Sequence, residues 1–318
     1  MKVSIGAKVM DGPWGGGNLF VINLSNYLLE KGHEVVYDLN ENDIDIILLT
    51  DPRKSSESSS FTHRDIKKYK KKNPNVKVVH RINECDERKN TRGLNKFYIK
   101  ANKVADHTIF VSHWLKQIYI NSGFTSMNYS VILAGADPNI FYMKNKKTLN
   151  KNEKLKIVTH HWSGNWNKGF DIYERLDDLL KQDYWGTKLE FTYIGNLPKK
   201  FTFKKANYIE PLSGMELAKE LKNNHLYITA SLNEPSGNHH IEASQCGLPV
   251  MYLNSGGTPE YCKDFGLMYD HDNFEEKLNE ALEEIDKYNE KMTNYTLNSN
   301  KMCTEFLTVF NNLLLDKE

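Results

Sequence analysis

The sequence has almost no surplus of charge. Its 42 Lys and Arg residues meet 41 Asp and Glu, for a formal net charge of +1. Bulk electrostatics therefore gives no support for a nucleic-acid binder. Long apolar runs are also missing, and none approaches the roughly 20 residues that span a bilayer. Cysteine is sparse: Cys85, Cys246, Cys262 and Cys303 stand far apart with no CxxC pair. Neither a zinc site nor a disulfide framework is suggested, and a reducing cytoplasm is the expected home. The opening MKVSIGAKVMDG lacks the charged-then-apolar pattern of a leader and reads as a first strand.

What is present is alternation. Short apolar runs exchange with amphipathic stretches, the signature of βα units and a parallel sheet. Strands are expected at 2–9, 44–50, 76–82, 107–111 and 129–137, with HEVVYDL between the first two. Helices are expected at Asn18–Lys31, Asp65–Lys72, Gly93–Ala105 and His113–Ser122, the last capped by Ser112. The stretch KNKKTLNKNEK (144–154) is polar and aperiodic and reads as a linker. The pattern then restarts, with strands at 155–162, 189–195, 226–230 and 249–253. Helices are expected at Lys168–Lys181, Gly214–Lys222, Asn238–Cys246 and Phe274–Tyr288. An amphipathic helix, 301–315, has no strand after it. The implied architecture is α/β: a doubly wound domain over 1–145, a second over 152–297, and a terminal helical segment over 298–318.

The densest chemical signal is EPSGNHHIEASQCGLPVMYLNSGGTPE (234–260). Glu234 follows a strand, Ser236-Gly237-Asn238 opens a helix, and Glu242 lies about one turn inside it. A helix N-terminus offers free N–H groups and partial positive charge, which suit a diphosphate. Carboxylates beside it suit sugar hydroxyls. Taken alone, the pattern is also that of a capped surface helix with two solvated glutamates. Here it coincides with strand–loop–helix–Gly-Pro–strand–Gly-Gly.

The segment resembles the E-x7-E region of retaining glycosyltransferases of the GT-B fold, the large family four. Other pieces resemble that family in order: WGGGNLF (14–20) its first glycine loop, VVHRI (78–82) its strand with an active-site His, ADHTIFVSHWLKQ (105–117), AGADPNIF (134–141) and NKGFDIYERL (167–176). The resemblance implies two facing Rossmann-like domains and a terminal helix crossing back to the first. It implies that Glu242 holds the donor ribose. Glu234 and the backbone of Ser236, Gly237, Asn238 and His239 would hold the sugar and phosphates. Lys168 would neutralise the departing diphosphate, and His80 would bond the donor sugar from the other domain. Gly16 and Gly17 would admit the phosphates closely, and Gly195 and Leu212 would lie near the base. The donor would be a UDP-, GDP- or ADP-sugar, with retention, in the interdomain cleft and without metal or other cofactor. The acceptor, a glycan, lipid or small molecule, is unidentified, with Asn83, Asp86 and Arg88 as candidate contacts.

One departure bears on the site. Ser163 stands where the family usually has an Arg, so Ser163, Asn165 or His161 would have to substitute. Two DxD triplets, 43–45 and 270–272, read as structural. His239 and His240 lack a third ligand at metal spacing. The basic run Lys67–Lys72 is a solvated face or a peripheral contact with the inner membrane surface. Trp162 and Trp166 either pack or stack on a ligand. The alternative functions are a silent glycan- or partner-binding module, a sugar phosphorylase or a nucleotide-sugar epimerase.

Overall fold

The computed structural model describes residues 1–10 and 15–315. Trp14 of the glycine-loop motif, and Asp11 and Gly12 of the opening stretch, lie outside the described residues. Contacts divide the chain into two units, Met1–Ala134 together with the segment from Ser299, and Gly135–Asn298. The division falls at Ala134 rather than at 145. Residues 135–143 are tied into the second unit, where Gln245 accepts from the Ala136 N–H and donates to the Phe141 carbonyl.

The first unit runs β1 (Lys2–Ile5), α1 (Gly16–Glu30), β2 (Glu34–Val36), β3 (Ile46–Leu49), α2 (His63–Lys72), β4 (Lys77–Ile82), α3 (Asp86–Lys89), α4 (Leu94–Asn102), β5 (His107–Phe110), α5 (His113–Asn121) and β6 (Tyr129–Val131). Its six strands are all parallel, in the order β2-β1-β3-β4-β5-β6. β3 is buried along its whole length, as a strand covered on both faces should be. β1 ends at Ile5 instead of continuing to residue 9. Beyond it, the Gly6 N–H donates to the Leu48 carbonyl and Ala7 bridges to Ser59.

The second unit runs β7 (Leu155–His161), a 3-10 turn (Trp166–Lys168), α6 (Phe170–Leu179), α7 (Asp183–Gly186), β8 (Leu189–Gly195), β9 (Asn207–Ile209), α8 (Gly214–Lys222), β10 (Leu226–Thr229), α9 (Asn238–Gln245), β11 (Val250–Leu253), α10 (Thr258–Cys262), β12 (Gly266–Tyr269) and α11 (Phe274–Met292). Its sheet is also parallel, ordered β12-β11-β10-β7-β8-β9. Successive strands run outward in both directions from the β7–β10 pair. That pair is the switch point where doubly wound sheets bind ligands, at the carboxyl ends of the strands. Below it, Phe170, Tyr173 and Leu176 of α6 and Phe274, Leu278 and Ile285 of α11 share one apolar core.

The last helix, α12 (Ser299–Leu315), belongs to the first unit. Met302, Cys303, Phe306 and Phe310 are buried. Phe306 meets Phe20 of α1 with ring centroids 5.1 Å apart, and the Arg81 guanidinium lies 3.9 Å over the Phe20 ring.

Candidate active site

At the switch point of the second unit, β7 leads into the loop that carries Lys168, and β10 leads into the loop that carries Glu234. Hydrogen bonds fasten these loops to each other. The Leu232 N–H donates to the Asn167 carbonyl (2.9 Å), and the Gly257 N–H donates to the Glu234 carbonyl (2.8 Å). The Asn233 N–H donates to Ser255 Oγ. Gly256 has φ +65°, and a Cβ there would stand 2.5 Å from the Glu234 backbone. Only glycine fits both demands, so the Gly256-Gly257 loop serves as a brace under Glu234.

Lys168 and Glu234 therefore converge, 66 residues apart in sequence. Lys168 Nζ donates to Glu234 Oε2 at 2.8 Å, and both side chains are about nine-tenths covered. A desolvated pair of this kind depends on its partners, because either charge left alone would be costly.

α9 opens directly after Glu234. No side chain caps its N-terminus, so the first-turn N–H groups remain for a ligand. Ser236 Oγ is buried there without a hydrogen-bond partner. The rings of His239 and His240 come so near that a Cβ on Gly237 would sit 2.6 and 2.8 Å from them. The His239 side chain turns to the sheet, its Nε2 2.9 Å from Thr229 Oγ1, so only its backbone faces the helix mouth. Burial keeps both imidazoles neutral: it pushes His240 down to about 3 and His239 well below its usual value.

Glu242, one turn further, is met by His160 from β7. His160 Nε2 lies 2.9 Å from Glu242 Oε2. His161, the next residue, points inward, with Nε2 2.7 Å from the Tyr173 hydroxyl. It is thus engaged in the core rather than offered in place of the missing arginine. Ser163 is half-buried, and its Oγ accepts from the Asn165 N–H at 3.3 Å. Trp162 and Trp166 flank this loop, each about half exposed, at 50% and 51%. Gly195 ends β8 at φ +133°, where a Cβ would meet the His161 carbonyl at 2.0 Å. Leu212 is half-buried in the loop before α8.

In the first unit, His80 lies in β4, two residues before its end, and is fully buried. Its Nδ1 is 2.8 Å from Asn102 Oδ1, and its Nε2 has no hydrogen-bond partner among the described residues. Burial lowers it to about 4, although the Asn102 contact acts in the opposite direction. Gly16 and Gly17 open α1 rather than forming a free loop. A Cβ at Gly17 would meet nothing within 4 Å among the described residues. Of the candidate acceptor contacts, Asn83 and Arg88 are half-buried. The Asp86 carboxylate accepts from the N–H groups of Gly93, Leu94 and Asn95 and from the Thr91 hydroxyl. It organises the start of α4, and although burial opposes its charge, these bonds hold its pKa below the usual range. Of the DxD triplets, Asp43 pairs with Lys2, and Asp270 accepts from the N–H groups of Asp272 and Asn273 before α11. Within the basic run, Ile66 and Tyr69 anchor α2 and Lys70 pairs with Asp106.

His160 is the site residue that the sequence does not reveal. Its partner is 82 residues away. The only local signal is a pair of histidines at the end of an otherwise apolar strand.

Residues 143–299 match the family described as glycosyl transferases group 1. The matched group 1 segment contains Ser163, Lys168, Gly195, Leu212 and the whole of 234–242. Solved structures extend the likeness over the rest of the chain. HepE of Anabaena, in complex with UDP-glucose, is 14% identical, with 98% of this chain and 99% of that one covered and a TM-score of 0.70. Sucrose-phosphate synthase of Thermosynechococcus elongatus is 14% identical over 99% of each chain, with a TM-score of 0.67. A glycosyltransferase of Rickettsia africae is 14% identical over 98% of each, with a TM-score of 0.71. No curated protein matches by sequence. The chain has the GT-B fold of glycosyltransferases, built from its two parallel six-stranded sheets.

Proposed function

We propose that the chain transfers a sugar from a nucleotide-diphosphate sugar to an acceptor, with retention at the anomeric carbon and without a metal ion. The observation that carries this reading is the convergence, at one switch point, of the Lys168–Glu234 pair, the uncapped start of α9 and Glu242. The diphosphate would take the N–H groups of α9 and the Lys168 ammonium. Glu234 would then be released to the sugar hydroxyls, and Glu242 would accept from the ribose. In the transfer, the bond from the anomeric carbon to the diphosphate oxygen breaks. The acceptor oxygen bonds to that carbon on the same face, and its proton passes to the departing phosphate. Lys168 lowers the barrier by meeting the charge that develops on the leaving group. HepE of Anabaena binds UDP-glucose, which makes a UDP-sugar the first donor to try.

A thermal-shift panel of UDP-, GDP-, ADP- and dTDP-sugars, with and without EDTA, tests the reading. A ligand at 100 times its dissociation constant stabilises by about 2.7 kcal/mol, a rise on the order of 2–5 °C. One donor that raises the melting point regardless of EDTA supports it. A cooperative melt that no donor shifts replaces it with a silent binding module, for which Ser163 in place of arginine is the motive.

A further inference from the structure

Glu242 is held by a residue outside the motif that contains it. His160 stands at the carboxyl end of β7, and its Nε2 lies 2.9 Å from Glu242 Oε2. The strand end that carries the ring is itself fixed. The His160 backbone N–H donates to the Tyr227 hydroxyl (3.1 Å), and that hydroxyl donates to the His160 backbone carbonyl (3.2 Å). The Tyr227 ring also meets the imidazole edge-on, with centroids 5.5 Å apart, and Tyr227 is fully buried. The other ring nitrogen, Nδ1, is buried with no hydrogen-bond partner. A carboxylate oxygen accepts, so Nε2 is the donor in its contact with Glu242.

We infer that His160 is a positioning residue for the donor ribose: it fixes Glu242 through Oε2, so that Oε1 is presented in one orientation to a ribose hydroxyl. A glutamate in the first turns of a helix otherwise samples several side-chain rotamers, and immobilising it costs entropy at each binding event. The Tyr227–His160–Glu242 chain meets that cost once, during folding, and binding then finds the acceptor oxygen in place. The inference rests on the proposed function in one respect, that Glu242 faces a ribose.

The test measures binding and needs no acceptor. UDP, 2′-deoxy-UDP and 3′-deoxy-UDP are titrated calorimetrically into the wild type, His160→Phe and His160→Gln, with melting curves to establish that each variant is folded. The phenylalanine keeps a ring and removes the N–H; the glutamine amide puts an N–H near the place of Nε2. His160→Phe should weaken UDP about tenfold, with His160→Gln recovering most of the loss. For the deoxy analogue that wild type itself binds less tightly, the phenylalanine penalty should vanish, because paired groups are non-additive. An equal loss for all three ligands, or no loss in a folded His160→Phe, overturns the inference and leaves the proposed function standing. A wild type that binds none of UDP, GDP or ADP overturns the proposed function and this inference with it.

Discussion

Lys168 and Glu234 form a largely buried ion pair, and this sets what substitution does. Lys168→Ala should reduce donor-dependent nucleotide release by about 10²–10³, the usual scale for losing one electrostatic stabiliser. It should also lower stability by about 3–5 kcal/mol, because a largely buried carboxylate loses its ion-pair partner. Combining Lys168→Met with Glu234→Leu should restore the melting temperature and leave activity lost. Recovery of activity in that double variant would remove both residues from the reaction. The buried histidines give a second prediction. His80 falls to about 4 and His240 to about 3, both through burial, against an unfolded value near 6.5. Below pH 6.5 the unfolded chain therefore binds the extra protons, and stability falls with pH. The loss runs down to about pH 4 for His80, on the order of 3 kcal/mol, and continues to about pH 3 for His240. Urea unfolding midpoints between pH 7 and pH 4.5 should show this slope, and it should flatten in His240→Val.

At the scale of elements, much of the pattern is legible because it is local. Ser112 is legible as a cap from sequence, and its Oγ accepts from the Leu115 N–H at 3.2 Å. Ser112→Ala should cost about 1 kcal/mol in denaturant titrations. β8 and α8 take the bounds that periodicity gives them. β12 was missed because four residues between a turn and a helix carry too little period to register. α6 starts after Gly169 rather than at Lys168, because the chain takes a 3-10 turn that holds the lysine. The site divides along the same line. Glu234, Glu242 and Lys168 are legible as candidates because each lies in a short motif of fixed spacing. His160 and the bracing role of Gly256 depend on contacts across 82 and 22 residues, which no window along the chain contains. Gly256→Ala should cost more than about 1 kcal/mol and weaken donor binding as well, since the displaced backbone is that of Glu234. Unchanged donor affinity in the folded variant would separate the brace from the site.

At the scale of the whole molecule, the two sheets differ in winding. The first is ordered 2-1-3-4-5-6; the second, counted from its own first strand β7, is 3-2-1-4-5-6. Both place a switch point beside their first strand, β1 or β7, and the residues of the proposed site in the second unit gather there. The first unit recruits α12 across the whole length of the second. Phe306→Ala, which empties the place against Phe20, should cost about 3–5 kcal/mol, measured by the unfolding of the first unit.

The discontinuity has a consequence for biogenesis. A ribosome delivers residues 135–298 as one uninterrupted stretch, and every strand of that sheet is synthesised before α11 is complete. The first unit is begun earlier and finished later: Phe20 of α1 must wait without its Phe306 partner while some 160 residues are translated, several to tens of seconds at ordinary elongation rates. In nascent chains arrested at increasing lengths, protease resistance should therefore appear first in the segment made second.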